Sequence, residues 1–283
     1  MHKKNPFAAD YDFDNLIKHN EALAKYVFPN KQGTKTIKFG DQRAVKALNK
    51  ALLKTQFDVH WDIPKGFPCP PIPGRLDYLL NIADLLPEKE IKMLDIGTGA
   101  NMIYPILATR HFGWHCTASE LNPDSIKHAA QIISNNPSLS SVELRVQSDP
   151  KLILENIIEP DDKFDVMVCN PPHFKSLEDA QKHNQRKVRN LSSKKREKLN
   201  FAGRSNELWT PGGEAAFIQT LAEESVQFMD QVGWFTSLIS RNDSVRGITE
   251  MIDAIPRTEV KVVEMTQGIK ASRFVAWRFK ETE

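Results

Sequence analysis

The fold of this 283-residue chain is decided by the segment IKMLDIGTG, which occupies positions 91–99. Residues 91–95 are largely apolar and predict a short buried strand. Gly97 and Gly99 follow at the end of that strand and predict a tight turn into a helix over residues 102–110. Because glycine has no side chain, such a turn also lets a ligand approach the backbone closely. The segment therefore predicts a strand–turn–helix unit with a binding position at its turn.

Strand and helix patterns alternate from this segment to the end of the chain. Further strands are predicted over residues 114–120, 142–147, 164–169, 233–239, 260–265 and 273–279, and further helices over residues 123–134 and 214–229. Alternation of this kind implies a mostly parallel sheet with helices on both faces. Only residues 266–272 join the last two strands, and a parallel crossover needs about a dozen residues, so these strands must pair antiparallel.

The predicted fold is therefore α/β and Rossmann-like. Its sheet has seven strands, mostly parallel, with an antiparallel last strand. This is the architecture of class I S-adenosylmethionine-dependent methyltransferases.

Residues 1–87 lack this alternation and predict a small, mainly helical N-terminal lobe, which leaves residues 88–283 for the sheet domain. Helices are predicted over residues 16–26, 41–57 and 76–85, and the second has an N-cap candidate in Asp41. Residues 61–75 are rich in proline. This composition is typical of a stiff, extended arm rather than a flexible linker.

Composition places the chain among ordinary globular proteins, with 40% hydrophobic and 26% charged residues. No apolar run approaches the roughly 18 residues of a membrane span, and the first residues lack the apolar core of a signal peptide. Cys69, Cys116 and Cys169 are odd in number and widely spaced, which favours neither a disulfide framework nor a metal site. We therefore expect a cytoplasmic protein that binds neither a metal nor a membrane.

The predicted strand 164–169 ends at Asn170-Pro171-Pro172, and this turn indicates the chemistry. Proline fixes φ and has no N–H to donate, so the turn presents oxygen acceptors on a stiff support. The Asn170 side-chain carbonyl and the Pro171 main-chain carbonyl can accept both N–H groups of an exocyclic amine. Drawing the nitrogen lone pair out of conjugation makes that amine a nucleophile. The alternative interpretation of an isolated Asn-Pro-Pro is a rigid strand exit without chemistry.

The turn after the first strand of the sheet favours S-adenosylmethionine over a dinucleotide. A dinucleotide fingerprint requires a small residue three positions after Gly99, and Met102 is there. S-adenosylmethionine has no phosphate, and its ammonium and sulfonium favour an acid such as Asp95. Glu120 ends the second strand of the sheet, where a carboxylate can accept both ribose hydroxyls. Together with the Asn-Pro-Pro turn, these residues predict an S-adenosylmethionine-dependent amino-group methyltransferase.

A basic segment begins directly after the Asn-Pro-Pro turn and is predicted to be a surface insertion over residues 175–210. Between residues 182 and 204 its cationic residues, which we predict to bind RNA, are Lys182, Arg186, Lys187, Arg189, Lys194, Lys195, Arg196, Lys198 and Arg204. Glu197 is the single acid between Lys182 and Arg204, and aliphatic residues are few, as is typical of a surface segment. A run of charges is often only a solvated face, but this position beside the predicted catalytic turn favours a polyanion.

Several motifs together resemble the bacterial 23S ribosomal RNA adenine N6-methyltransferase family. They are PIPGRLDY (71–78), DIGTGA (95–100), CNPP (169–172), GGE (212–214) and TQGIKASRFVAW (266–277). The resemblance runs over nearly the whole chain, and that family is similar to eukaryotic methyltransferases that modify a splicing RNA and messenger-RNA hairpins. It implies methylation of N6 of one adenine in 23S rRNA, adenine 1618 in the usual rRNA numbering.

The resemblance also implies cofactor or catalytic roles for Arg75, Gly97, Glu120 and Asn170, and we predict Asp149 as a further cofactor residue. The family has Phe directly after the two prolines, whereas this chain has His173 and then Phe174. Either ring can stack on a base. The predicted catalytic set is therefore Asn170, Pro171, Pro172, His173 and Phe174.

The implied partner is 23S rRNA or a large-subunit assembly intermediate, recognised by the N-terminal lobe and the basic insertion, with no obligate protein partner. Two other classes of function stay open from the sequence. A protein glutamine methyltransferase would use the same turn on a side-chain amide, although such an enzyme has no need for so basic an insertion. A non-catalytic RNA-binding module would tolerate loss of Asn170, whereas this sequence retains Asp95, Glu120 and Asn170 together.

Overall fold

The computed structural model describes residues 1–172, 212–267 and 270–280. Its strands are β1 (Val27–Pro29), β2 (Lys35–Ile37), β3 (Lys92–Ile96), β4 (His115–Glu120), β5 (Glu143–Val146), β6 (Phe164–Cys169), β7 (Val232–Ile239), β8 (Thr258–Gln267) and β9 (Lys270–Phe279). The α-helices of these ranges are α1 (Phe13–His19), α2 (Gln42–Phe57), α3 (Ile72–Ala83), α4 (Ile103–Leu107), α5 (Pro123–Ser134), α6 (Gly213–Ser225) and α7 (Val245–Asp253).

Seven of these strands form one sheet in the order β5-β4-β3-β6-β7-β9-β8. From β5 to β7 every neighbouring pair is parallel, whereas β9 is antiparallel to both β7 and β8. The predicted seven-stranded, mostly parallel sheet with its antiparallel last strand is confirmed. The final hairpin is tighter than predicted, because β8 and β9 pair as far as Gln267 opposite Lys270.

The parallel register brings three segments of the chain to one edge of the sheet. Asp95 in β3 lies level with Ala118 in β4 and with Val168 in β6. The glycine turn, Glu120 and the Asn-Pro-Pro turn therefore meet where these strands end. This is the edge at which open α/β sheets bind their ligands.

Hydrophobic side chains cover both faces of the sheet. Successive residues of a strand point to opposite faces, so Met93 packs on one side and Leu94 on the other. N-terminal residues, including Leu52 and Tyr78, belong to the same core as Met93. Helices α6 and α7 contribute to the core on the opposite face. The N-terminal lobe thus shares a continuous core with the sheet, which fixes it beside the ligand-binding edge.

The first predicted helix, over residues 16–26, is interrupted. Helix α1 ends at His19, and a 3-10 helix covers Glu21–Tyr26. Asn20 between them is extended, with φ of −151°, and its side-chain Nδ2 donates to the Ala47 carbonyl at 2.8 Å. This bond to α2 stabilises the break. The β1–β2 hairpin that follows is a feature the sequence did not predict.

The proline-rich stretch packs onto the body of the protein. Trp61, Ile63 and Phe67 within it are buried. Helix α3 begins at Ile72, four residues before the predicted start at residue 76. Pro73 suits this first turn, because its φ is preset for a helix and no N–H is missed there.

The other helices differ from prediction mainly at their ends. Helix α4 passes into a wider π-helical turn over Ala108–Phe112, and α6 passes into a 3-10 helix over Val226–Phe228. Helices α2 and α5 match their predicted ranges to within one residue, whereas α7 was not predicted. Every helix in the described part of the chain is too short or too polar to span a membrane.

Candidate active site

A cavity of about 500 Å³ opens at the carboxyl edge of β3, β4 and β6. Its wall includes the glycine turn after β3, the end of β4, and the Asn-Pro-Pro turn after β6. Residues 150–153 after β5 form a further part of the wall, and so do Ala216, Phe217 and Thr220 of α6. The N-terminal lobe contributes residues 68–71 and Arg75. The predicted ligand-binding edge of the sheet is therefore completed by segments from outside the sheet.

The turn after β3 depends on glycine. Gly97 and Gly99 both have positive φ, at 71° and 63°, in the left-handed region that strains other residues. The N–H groups of Gly97 and Thr98 donate to the Ser119 carbonyl at 3.0 and 2.9 Å. These bonds tie the turn to the end of β4, so that bare backbone forms this part of the cavity wall.

Glu120 is a preformed acceptor at the wall. Its side chain is buried, and Oε2 accepts a hydrogen bond from the Gly99 N–H at 2.8 Å. Oε1 accepts from the N–H groups of Leu121 and Asn122, both at 2.8 Å. The carboxylate is therefore held in place by backbone donors from two different strand ends.

Asp95 lies beneath the glycine turn and is fully buried, so it does not itself line the cavity. In the described part of the chain, neither oxygen of its carboxylate has a hydrogen-bond partner. Burial, aided by the charge of Glu120, raises the pKa of Asp95 to about 7, against the opposing effects of the nearby Thr98 hydroxyl and Arg75 guanidinium. A buried carboxylate without a partner is costly. It fits a ligand that brings a positive charge.

The raised pKa of Asp95 should make the ligand-free protein less stable as the pH rises from about 4 to about 7. In this window the folded protein holds the Asp95 proton while the unfolded chain has released it, so the free energy of unfolding falls. It levels off above the folded pKa. Asp95→Asn removes this titration and should raise the free energy of unfolding near pH 8 by on the order of a few kcal/mol, since one pKa unit is about 1.4 kcal/mol.

Chemical denaturation at about pH 5 and about pH 8 measures the change in the free energy of unfolding, because most of the expected loss falls between these two values. Asp149→Asn is the matched control, since Asp149 does not line the cavity. If the stability of Asp95→Asn depended on pH as that of the wild type does, this would contradict the raised pKa of Asp95.

The Asn-Pro-Pro turn meets Arg75 at the cavity wall. Arg75 Nη1 donates to Asn170 Oδ1 at 3.0 Å and to the Tyr104 hydroxyl at 2.8 Å. Pro171 is buried and Pro172 is half-buried beside them. Arg75 and Asn170 are 95 positions apart in the sequence, and the fold brings these two predicted residues into direct contact.

Other predicted residues are not brought to the cavity. Asp149 does not line it, and its Oδ1 instead accepts from the Lys151 N–H at 2.8 Å. Gln147, two residues earlier, lines the wall. His173, Phe174 and the nine basic residues predicted to bind RNA lie outside the described residues.

Sequence reasoning missed Glu224, which does not line the cavity but holds part of its wall in place. Its buried carboxylate accepts from the N–H groups of Ile153, Leu154 and Glu155, at distances of 2.7 to 3.2 Å. These bonds hold the segment whose residues 150–153 form part of the wall. The available signal was an acid three positions after Leu221 on the buried face of α6.

The strand order, the antiparallel β9 and the glycine-turn cavity at the carboxyl edge define a class I methyltransferase. The chain belongs to the RNA methyltransferase family, whose sequence model matches residues 1–281.

Curated relatives resemble the chain over nearly its full length. The ribosomal RNA large subunit methyltransferase F of Desulfotalea psychrophila is 45% identical over 295 residues, which cover 99% of this chain and 95% of the relative. The protein of the same name from Pectobacterium carotovorum is 44% identical, covering 100% of this chain and 94% of the relative.

Solved structures resemble the fold. The catalytic domain of human METTL16 in complex with a MAT2A 3′UTR hairpin superposes with a TM-score of 0.84 and 26% identity. The superposition covers 99% of this chain and 98% of that domain. The N-terminal domain of human METTL16 in complex with SAH gives a TM-score of 0.79 at 24% identity, over 99% of each chain. At that identity the second likeness concerns the fold alone.

Proposed function

We propose that this protein transfers a methyl group from S-adenosylmethionine to N6 of one adenine in 23S ribosomal RNA. The observation that carries the proposal is the Asn170 side chain at the cavity wall, followed by Pro171 and Pro172. Membership of the RNA methyltransferase family supports RNA as the substrate. The names of the relatives support ribosomal RNA of the large subunit. The resemblance of the sequence motifs supports adenine 1618 as the target.

S-adenosylmethionine is the cofactor, and the charged groups at the cavity wall and directly beneath it fit it. The Asp95 carboxylate, without a partner among the described residues, suits the cofactor's ammonium. The Arg75 guanidinium is bonded to two neutral groups, on Tyr104 and Asn170, and suits the cofactor's carboxylate. Glu120 is proposed to accept hydrogen bonds from the ribose hydroxyls. The cofactor supplies an electrophilic methyl group on its sulfonium.

The chain's own part in the reaction is to position the target amine. The Asn170 and Pro171 carbonyls accept its two N–H groups and hold its lone pair in line with the methyl group. Positioning of this kind accounts for several kcal/mol of a reaction barrier, on the order of 7–11 in the most favourable cases. The proton can leave the nitrogen after methyl transfer, so the mechanism requires no strong general base.

The surrounding RNA is proposed to contact the N-terminal lobe, residues 1–87, and the basic insertion. An adenine inside a helix cannot reach the cavity, so it must be flipped out or lie in a single-stranded loop. His173 or Phe174 is proposed to stack on the base. The substrate is proposed to be 23S rRNA or a large-subunit assembly intermediate, without an obligate protein partner.

Replacing Glu120 with alanine should weaken binding of S-adenosylmethionine. The loss should be on the order of 1–3 kcal/mol, because the ribose hydroxyls would lose their acceptor. Isothermal titration calorimetry measures the change, and Glu120→Gln separates the loss of charge from the loss of the acceptor. Glu143→Ala is the control, since this exposed carboxylate on β5 pairs with Arg145 outside the cavity. Unchanged affinity in Glu120→Ala would place the ribose elsewhere.

Mapping N6-methyladenosine in 23S rRNA from cells with and without the gene tests the proposed function. We expect one adenine to lose its methyl group without the gene and to regain it when the wild-type gene is restored. An Asn170→Ala gene should not restore it. Methyl transfer to protein glutamine instead would support a protein methyltransferase. RNA binding without methylation would support a non-catalytic module, and either outcome would overturn the proposal.

A further inference from the structure

We infer that Arg75 is a positioning residue that holds the Asn170 carboxamide in the orientation the reaction needs. This inference rests on the proposed function, in which Asn170 Oδ1 accepts a hydrogen bond from the target amine. The observation behind it is the 3.0 Å hydrogen bond from Arg75 Nη1 to that same oxygen.

The carbonyl and amino groups of a carboxamide have nearly the same shape, so packing alone does not choose between its two orientations. Hydrogen bonding to Arg75 does choose. Arginine is a donor with no acceptor, so it favours the orientation that turns Oδ1 toward it and disfavours the one that turns Nδ2 toward it. The chosen orientation is the productive one, because the second lone pair of Oδ1 stays available for the amine. In the reverse orientation an N–H group would face both Arg75 and the amine.

Arg75 is itself held firmly enough for this role. Its guanidinium donates to the Tyr104 hydroxyl at 2.8 Å and lies 5.6 Å from the centre of the Tyr104 ring. Tyr104 is buried and packs edge-on against Tyr78, whose hydroxyl is 2.7 Å from the Thr236 hydroxyl. A buried aromatic and hydroxyl network thus anchors the guanidinium between α3, α4 and β7.

A double-mutant cycle tests the inference. The rate constant kcat is measured at saturating cofactor and RNA for wild type, Arg75→Met, Asn170→Ala and the double variant. Saturation removes any effect of Arg75 on cofactor affinity from the comparison. We expect Arg75→Met to lower kcat by about tenfold or more, the scale of a lost hydrogen bond from a charged donor. In the Asn170→Ala background the same change should have no further effect, because its target is gone.

Arg75→Lys should recover part of the lost rate, because lysine keeps the charge and a donor but not the guanidinium geometry. Arg110→Met is the matched control, since Arg110 bonds the Phe57 carbonyl and does not line the cavity; it should keep the wild-type kcat. Equal losses from Arg75→Met in both backgrounds would overturn the inference and show that Arg75 acts independently of Asn170. An effect of Arg75→Met on KM for the cofactor alone, with kcat unchanged, would overturn it as well.

Failure of the proposed function has a different signature. In that case the wild type would not methylate adenine N6, or Asn170→Ala alone would leave kcat unchanged. If Arg75→Met does not fold, as judged by thermal unfolding, the cycle is run with Arg75→Lys, and additive losses overturn the inference in the same way.

Discussion

Replacing Asn170 with alanine is expected to lower kcat for methyl transfer by about a hundredfold, the scale on which a transition-state hydrogen-bond partner acts. The Asn170 carbonyl would accept one N–H of the target amine more strongly as its lone pair turns toward the methyl group. Alanine removes that acceptor. The affinity for S-adenosylmethionine should stay nearly unchanged, because the residues proposed to bind its charged groups and ribose are untouched.

Single-turnover methylation of an rRNA fragment, together with calorimetry of cofactor binding, separates the two effects. Asn170→Asp is the matched variant, because a carboxylate has the same shape and keeps acceptor oxygens. It should lose less activity than Asn170→Ala. Turnover of Asn170→Ala within a few fold of wild type would remove the catalytic role assigned to this residue.

Changing Lys194, Lys195, Arg196 and Lys198 together to glutamine is expected to weaken RNA binding by about tenfold to a hundredfold at low salt. Cationic side chains that contact phosphates release counterions from the RNA when it binds. The slope of log affinity against log salt should therefore fall by about 0.7–0.9 for each phosphate that is no longer neutralised. Turnover at saturating RNA should change much less, because phosphate contacts position the strand without touching the amine.

The control is a quadruple glutamine variant of Lys89, Lys92, Lys163 and Lys280, exposed lysines near the opposite edge of the sheet. It removes the same charge far from the Asn-Pro-Pro turn. A salt titration of all three proteins on one rRNA fragment gives the slopes. If the segment is only a solvated face, affinity and slope should match the wild type. Equal losses of affinity in both variants would indicate an effect of net charge rather than of the insertion.

Much of the fold followed from patterns along the chain. The alternation of strand and helix predicted the parallel sheet, and the short connection between the last two strands required them to pair antiparallel, as they do. Short-range patterns were less successful where a tertiary contact intervened. The predicted helix over residues 16–26 is broken at Asn20, whose side chain bonds the Ala47 carbonyl on α2. No local pattern contains that bond.

The cavity was predicted in part. The two glycines, Glu120 and the Asn-Pro-Pro turn were all expected at strand ends, and all of them line it. Asp149 was predicted from the same region of the chain, yet Gln147 takes the place at the wall. Both residues lie beyond β5, which ends at Val146, and the Asp149 carboxylate instead accepts from the Lys151 N–H in the following turn.

The sequence by itself determined the mostly parallel sheet with its antiparallel last strand, the tight glycine turn and the stiff acceptor turn at Asn170, because each follows from residues that are near one another along the chain. Only the tertiary structure decided which groups face them. Arg75 meets Asn170 across 95 positions, and Glu224 meets the Leu154 N–H across 70. Asp95 is shielded from water only in the folded protein, where residues distant in the sequence cover it. Such arrangements depend on how α3 and α6 pack against the sheet, and that packing is a property of the whole core.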